Sequence, residues 1–142
     1  MIPIWKKPIT LEWITAFSDD SLVSHLGIEF LEAGPDFLRA RMPVDSKTKQ
    51  PIGFLHGGAS VALAETVAST AAHCSVGESH YCVGIEINAN HVRKVKEGWV
   101  EAIARPVHLG RSFQVWETLI TDQDDRLIST CRMTLSVLAS PE

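Results

Sequence analysis

Gly57-Gly58-Ala59-Ser60-Val61-Ala62-Leu63-Ala64-Glu65-Thr66-Val67-Ala68-Ser69-Thr70-Ala71-Ala72-His73-Cys74 is the longest helical segment of the chain, and its only carboxylate is Glu65. Alanine dominates it and apolar residues fall on nearly every face, so it predicts a buried helix. At about 1.5 Å per residue it runs on the order of 25 Å, enough to cross a small domain. The two glycines at its start leave the first helical N–H groups uncovered, and the positive end of the helix axis points at whatever binds there. Glu65 lies deep in the apolar run, where a carboxylate is costly without a partner or a role. On a helix, Glu65 and Ser69 share one face, with Val61 one turn back, so a carboxylate and a hydroxyl point into one pocket.

Upstream, Gln50-Pro51-Ile52-Gly53-Phe54-Leu55-His56 reads as a turn leading into the helix. Residues 43–56 carry breakers at Pro43, Pro51 and Gly53 and predict an irregular segment. Residues 26–42 predict a hairpin around Gly34-Pro35-Asp36. Residues 10–25 predict a short helix capped by Thr10, with Leu11, Ile14 and Phe17 on one side. Downstream, everything reads as strand. In residues 81–93, Val83, Ile85, Ile87 and Ala89 alternate with Glu86, Asn88 and Asn90. Residues 98–107, 112–121 and 127–138 continue the pattern, with turns at Lys96-Glu97-Gly98, Leu109-Gly110 and Asp122–Arg126. Connections this short favour antiparallel neighbours. The expected fold is α+β, one antiparallel sheet lying against one long helix.

A length of 142 residues fits one domain, spanning 1–142, with a real core. Apolar residues at 45% and charged residues at 21% are those of an ordinary soluble protein. No apolar run approaches the roughly 20 residues needed to span a bilayer, which argues against a membrane role. The N-terminal lysines precede neither an apolar stretch nor a cleavage site, so no secretory signal is expected. Cys74, Cys82 and Cys131 form no CxxC pair and read as small buried hydrophobes in a reducing compartment, with the cytoplasm as default. A net charge of −4 argues against a nucleic-acid partner. One sheet on one helix leaves strand edges that invite pairing, so a homodimer is expected, with a site shared between subunits plausible.

The functional reading centres on His56, the Gly57 and Gly58 amides as polarisers of a carbonyl oxygen, and Glu65. The plainer reading makes His56 an ordinary helix-cap residue. Gln50 gains interest from its place ahead of His56, and His91 closes the Asn88-Ala89-Asn90-His91 strand segment. Arg93, Lys94, Lys96, Arg105 and Arg111 cluster around two strand ends and a turn, where they either grip phosphates or blunt a solvated edge. HExxH and HxxxH are absent, so no metal is expected. GxSxG, P-loop and GxGxxG patterns are absent too, which leaves serine-hydrolase, nucleotide-triphosphatase and Rossmann readings without support.

Taken together, Pro43-Val44-Asp45, Gln50-Pro51, Gly53, Leu55-His56-Gly57-Gly58-Ala59-Ser60, Glu65, Gly84, Asn88-Ala89-Asn90-His91 and His108-Leu109-Gly110 resemble the hotdog-fold acyl-CoA thioesterases. The nearest branch is that of the 4-hydroxybenzoyl-CoA and 1,4-dihydroxy-2-naphthoyl-CoA thioesterases, and the resemblance runs from about Trp5 to Leu138. It implies a hotdog fold, an antiparallel sheet wrapped around one central helix, assembled as homodimers or dimers of dimers with sites at the dimer interface. It implies Glu65 as nucleophile or general base, Gly57 as N–H donor to the thioester carbonyl, and Gln50 and His56 as positioning groups. Ser69 matches the hydroxyl that helps hold water, and His91 borders the aryl pocket. Val83, Gly84, Arg93, Gly110 and Arg111 match the region that holds pantetheine and nucleotide phosphates. Coenzyme A is then part of the substrate, and no cofactor is needed. Two alternatives are a hotdog thioesterase of broad or carrier-protein-linked specificity and a non-catalytic acyl-CoA-binding module. A hotdog dehydratase is disfavoured because its His-Phe-Pro tripeptide is absent.

Overall fold

The computed structural model describes residues 1–141. In chain order it holds α1 (Leu11–Ser18), α2 (Leu22–His25), β1 (Glu29–Ala33), β2 (Leu38–Pro43), α3 (Gly57–Ser75), β3 (His80–His91), β4 (Trp99–Leu109), β5 (Phe113–Thr121) and β6 (Leu127–Ala139). The six strands form one sheet in the order β1-β2-β4-β5-β6-β3, antiparallel throughout. α3 packs across its inner face, giving the expected α+β hotdog architecture.

The core follows from small residues on α3. Leu63, Ala64, Val67, Ala68, Ala71 and Ala72 are sealed from solvent against Leu38, Met42, Val100, Trp116, Ile120 and Leu135 of the strands. Alanines let the helix sit close to the sheet while the larger strand residues fill the space between. Trp116 Nε1 donates to Gln114 Oε1 at 2.8 Å, and Gln114 Nε2 donates to Ser75 Oγ at 2.9 Å, so the buried polar atoms under the helix end are paired.

Only one side of α3 is covered. Val61, Ala62, Glu65, Thr66, Ser69, Thr70 and His73 recur at helical spacing and stay half-buried, so the expectation of a helix buried on nearly all faces is corrected. The alanine-rich composition hid this stripe, because alanine marks neither a core nor a surface.

Three other expectations are corrected. The single helix over 10–25 breaks at Asp19-Asp20, where Asp20 takes φ +52° and Ser21 starts α2 with a capping box. Thr10 caps α1 as expected, with Trp13 N donating to its Oγ1 at 3.1 Å. Only Ile14 of the expected apolar side is buried; Phe17 is exposed and stacks on Trp13. Second, the alternation in β3 is interrupted by a register shift between Gly84 and Glu86. This bulge turns Val83 and Ile85 outward, 41% and 63% exposed, while Ile87 and Ala89 pack on the core.

Third, the short link between β3 and β4 is not a hairpin. Residues 92–98 carry the chain from the β3 edge past β6 and β5 to β4. Seven extended residues reach about 23 Å, more than the roughly 14 Å that three strand spacings require. The crossing is pinned by Val92 N to Ile128 O, Leu55 N to Val95 O and Val44 N to Gly98 O, each 2.8 Å. It therefore passes beneath the start of α3 and brings Arg93 and Lys94 there. Among the described residues no helix is long and apolar enough to cross a membrane.

Candidate active site

The segment leading into α3 is locked by its own backbone. Gln50 N donates to Phe54 O at 2.8 Å and Gly53 N to Gln50 O at 2.9 Å, with Gly53 at φ +98°, where only glycine is unstrained. The side-chain oxygen of Gln50 accepts from Ile52 N, which leaves its amide nitrogen as a donor without a partner among the described residues. His56 N donates to the carbonyl of buried Thr48 at 2.8 Å.

His56 is the N-cap of α3. Its Nδ1 accepts from Gly58 N at 2.8 Å, which puts its ring proton on Nε2, and its carbonyl accepts from Ala59 N and Ser60 N. The expected pair of polarising amides thus reduces to one, because the Gly58 N–H is already used by the cap. Among the described residues Gly57 N–H makes no hydrogen bond and stands open at the positive end of a helix of 19 residues.

His91 flanks Gly57 on the side where a Cβ would stand. A side chain on Gly57 would place its Cβ 2.7 Å from His91 Nε2, so glycine is needed to let the imidazole approach. The ring is held from behind by Ser129 of β6, its partner across the strand pair, with Nδ1 and Oγ 3.0 Å apart. Around Gly57 and His91 lies a cavity of about 440 Å³, lined also by Gln50, Ser60, Arg93 and Lys94, with Phe54, Leu55, Val92 and Ile128 as its apolar wall. Lys94 Nζ sits 4.9 Å over the Phe54 ring, and Lys96 Nζ 5.7 Å from the same ring. The cavity mouth is therefore cationic and its floor is a helix N-terminus, a setting for a carbonyl ligand bearing an anionic tail.

Of the residues singled out from sequence, the fold brings together Gln50, His56, Gly57, His91 and Arg93. It does not bring Glu65 or Ser69 there. Both lie on the half-exposed stripe of α3, and Glu65 has neither a salt bridge nor a hydrogen bond among the described residues. Eight residues separate it from Gly57, about 12 Å along the helix axis, further than its side chain can close. The expected burial of Glu65 is likewise corrected to half-burial in a single chain.

Val83, Gly84, Gly110 and Arg111 meet at the opposite end of the sheet. Val83 and Phe113 both pair with Ser136, seven residues along β6 from Ser129, or about 23 Å. Of the basic residues, Arg93, Lys94 and Lys96 gather at the cavity mouth, while Arg105 and Arg111 do not join them within one chain. Arg105 is bound to Asp36 at 3.0 Å and stacks on Phe37, away from Arg93. Among the described residues there is no group of three or more His, Cys, Asp or Glu side chains placed to hold a metal.

Sequence reasoning missed Phe54, Ser60, Ile128 and Ser129 as site residues. Ser60 was visible as one helical turn beyond Gly57. Ser129 carried no local signal, since only the pairing of β3 with β6 places it behind His91.

Residues 52–129 match the family described as the thioesterase superfamily. The chain is 50% identical over 136 residues to a 1,4-dihydroxy-2-naphthoyl-CoA hydrolase of Escherichia coli strain K12, covering 95% of this chain and 99% of that protein. It is 47% identical over 135 residues to the proofreading thioesterase EntH of Cronobacter turicensis, covering 95% and 98% respectively. The crystal structure of a thioesterase from Haemophilus influenzae superposes with a TM-score of 0.96 at 48% identity, covering 98% of this chain and 97% of that one.

Proposed function

The chain belongs to the thioesterase superfamily and is a thioester hydrolase, and from that premise we propose that its substrates are aryl-CoA thioesters, of which 1,4-dihydroxy-2-naphthoyl-CoA is the leading example. The observation that carries the reading is the lone open N–H of Gly57 at a helix N-terminus, inside a cavity with an apolar wall and cations at its mouth. A thioester carbonyl seated there has its developing negative charge met by that N–H, by the helix dipole and by the free amide of Gln50, an effect worth several kcal/mol in acyl transfer. His56 holds the geometry by capping the helix. The apolar wall of Phe54, Leu55, Val92 and Ile128 suits an aromatic acyl group, while Arg93 and Lys94 suit the phosphates of coenzyme A.

The attacking group in this reading is Glu65 of a second copy of the chain. Among the described residues the 12-residue outer edge of β3 is unpaired and bears exposed Val83 and Ile85, and the uncovered stripe of α3 runs behind it. Antiparallel pairing of two β3 edges would extend the sheet and lay the two α3 stripes together. It would carry Glu65 of one copy toward Gly57 of the other, and Val83, Gly84, Gly110 and Arg111 of one copy toward Arg93 of the other. The carboxylate either attacks the carbonyl carbon and expels CoA thiolate, leaving a mixed anhydride that water hydrolyses to free the acid and regenerate Glu65, or takes a proton from a water that attacks the carbonyl carbon directly, with Ser69 beside it to hold that water. In both routes the C–S bond breaks and the thiolate takes up the proton that water loses. The enzyme in this account is a homodimer or a pair of dimers, works in the cytoplasm and needs no cofactor.

A second reading keeps the chemistry and changes the carrier. The two relatives at 50% and 47% identity bear different names, a naphthoyl-CoA hydrolase and a proofreading thioesterase, so a broad or carrier-protein-linked specificity is the competing proposal. Steady-state hydrolysis of 1,4-dihydroxy-2-naphthoyl-CoA, benzoyl-CoA, medium-chain acyl-CoAs and the matching carrier-protein thioesters, read as free thiol, separates them. Preference for the aryl-CoA esters is expected; equal rates on aryl and alkyl CoA, or a preference for carrier-protein esters, overturns the aryl-CoA assignment.

A further inference from the structure

We propose that α1 sets the acyl reach of the site: the stacked rings of Trp13, Phe17 and His73 in one copy, together with Ile52 of the other, close the far end of the acyl channel. The proposal rests on the two-copy reading of the site given above and assigns residues that the hydrolytic step leaves unused.

α1 is fastened to the body of the protein by Ile14, which is sealed in the core. Its other face lies over the C-terminal end of the uncovered α3 stripe, where Trp13, Phe17 and His73 form one stack. Ring centres are 5.1 Å apart for Trp13 and Phe17, 6.5 Å for Trp13 and His73 and 6.3 Å for Phe17 and His73, with every pair of planes within 11° of parallel. Lys7 Nζ stands 3.5 Å from His73 Nε2 and donates to the carbonyl of His80, so it occupies the edge of that ring. Burial, then the Lys7 charge, hold the His73 pKa below its ordinary value against a smaller opposing pull from Glu78, which keeps the stacked ring neutral. The stack is left open at Phe17, which is 69% exposed and presents an apolar face to whatever comes next.

The two-copy arrangement says what comes next. With Glu65 of one copy opposite Gly57 of the other, the two-fold axis passes midway between them, at Val61, and the two α3 helices run antiparallel. His73 stands eight residues beyond Glu65, about 12 Å further along the helix axis. On the other copy that direction leads back from Gly57 to the Gln50–Phe54 turn, whose tip carries Ile52, 79% exposed. Apart from the first two residues of the chain, Ile52 and Phe17 are the most exposed large apolar side chains among the described residues. The two-fold brings them to the same end of one channel. The cations at the cavity mouth suit the phosphates of coenzyme A, so the acyl group of a substrate seated on Gly57 runs away from them, past Glu65 and toward the stack. One ring or two fused rings end short of the stack, whereas a long alkyl chain collides with it.

The test uses the full-length protein and two series of substrates, para-alkylbenzoyl-CoA (hydrogen, butyl, octyl) and linear acyl-CoA (octanoyl, decanoyl, myristoyl), with kcat/KM read from thiol release. The wild type is expected to lose activity toward the long end of each series. Phe17→Ala is expected to raise the ratio of long to short substrate by about tenfold, and Phe17→Trp to lower it, a reversal that a merely structural role would not produce. Leu22→Ala, on exposed α2 outside the stack, is expected to leave the ratio within about twofold of wild type. If the Phe17 variants fail to fold, Ile52→Ala and Ile52→Trp on the exposed turn read the same limit from the other copy, with the same opposite signs. Mixed dimers then assign the copy. Phe17→Ala is expected to move the ratio when placed on the chain that carries Gly57→Ala and supplies Glu65, and to leave it unmoved on the chain that carries Glu65→Gln.

A wild type that hydrolyses long and short members equally, or ratios that folded Phe17 and Ile52 variants leave unmoved, overturns the proposal. A ratio that moves only when Phe17→Ala sits on the Glu65→Gln chain overturns the placement across the two copies. A mixed dimer with no activity overturns the two-copy reading itself, while the ratios of the uniform dimers still decide whether α1 sets the limit. A limit found in the linear series with no turnover of the aryl series removes the aryl-CoA reading and keeps the role of α1.

Discussion

Replacing Gly57 with alanine separates the site's chemistry from the protein's stability. The new Cβ would stand 2.7 Å from His91 Nε2, 3.0 Å from Cδ2 and 3.5 Å from Cε1. Relief to an ordinary contact of about 3.5 Å moves the ring by close to 1 Å. Ser129 holds that ring at 3.0 Å, so the movement breaks a hydrogen bond with a net worth of about 0.5–1.5 kcal/mol. Alanine in place of a helical glycine returns about 0.5–1 kcal/mol. The two terms nearly cancel, and the melting temperature is expected to stay within about 4 °C of wild type. Catalysis has no such compensation. The methyl crowds the one open N–H at the helix terminus and shifts its neighbour by about 1 Å, a displacement that costs on the order of 100-fold in rate. Thiol release from benzoyl-CoA, followed with a colorimetric thiol reagent, measures kcat/KM, and circular dichroism measures Tm. A variant that melts like wild type and keeps its kcat/KM within about twofold would refute the placement of the carbonyl at Gly57.

Two further outcomes follow from single contacts. His56→Ala removes the cap on Gly58 N–H and is expected to cost about 1 kcal/mol by chemical denaturation, while His56→Asn keeps most of that stability; equal losses from both would show that the cap at 2.8 Å contributes nothing. Burial pushes the Cys74 thiol from 9.0 up to about 11, against a smaller opposing pull from Lys7. Because the folded value is the higher one, the thiol favours the folded state fully below pH 9, and that contribution, on the order of 2–3 kcal/mol, is lost as pH rises toward 11. Cys74→Ala should flatten the fall of Tm across that window, and an unchanged slope would contradict the burial.

The fold was legible where one local signal acts alone. Thr10 capped its helix, Gly34-Pro35-Asp36 turned its hairpin, and the alanine-rich run formed α3 from Gly57 to Ser75. It was illegible where a distant partner decides. The bulge at Ile85 depends on how β3 meets β6, and the crossing by residues 92–98 depends on the sheet curling round α3. The site shows the same division. His56, Gly57 and Gln50 were readable because one continuous segment holds them. Gly58 was over-read because the plainer reading of His56 as a helix cap also holds, and its side chain consumes the Gly58 N–H. Glu65 was readable as a residue, but spacing along a helix says which face a side chain shares and not which cavity it reaches, and within one chain it stands about 12 Å along the helix from Gly57.

The central claim is that Gly57 and Glu65 act on one substrate from two copies of the chain. Glu65→Gln and Gly57→Ala chains, carrying different affinity tags and co-expressed, give a mixed dimer that two successive purifications isolate. One of its two sites then pairs an intact Gly57 with an intact Glu65. The account predicts that each parent dimer is nearly inactive and that the mixed dimer recovers about half of the wild-type kcat per dimer. A mixed dimer as inactive as its parents, from a preparation shown to contain both chains, would contradict it.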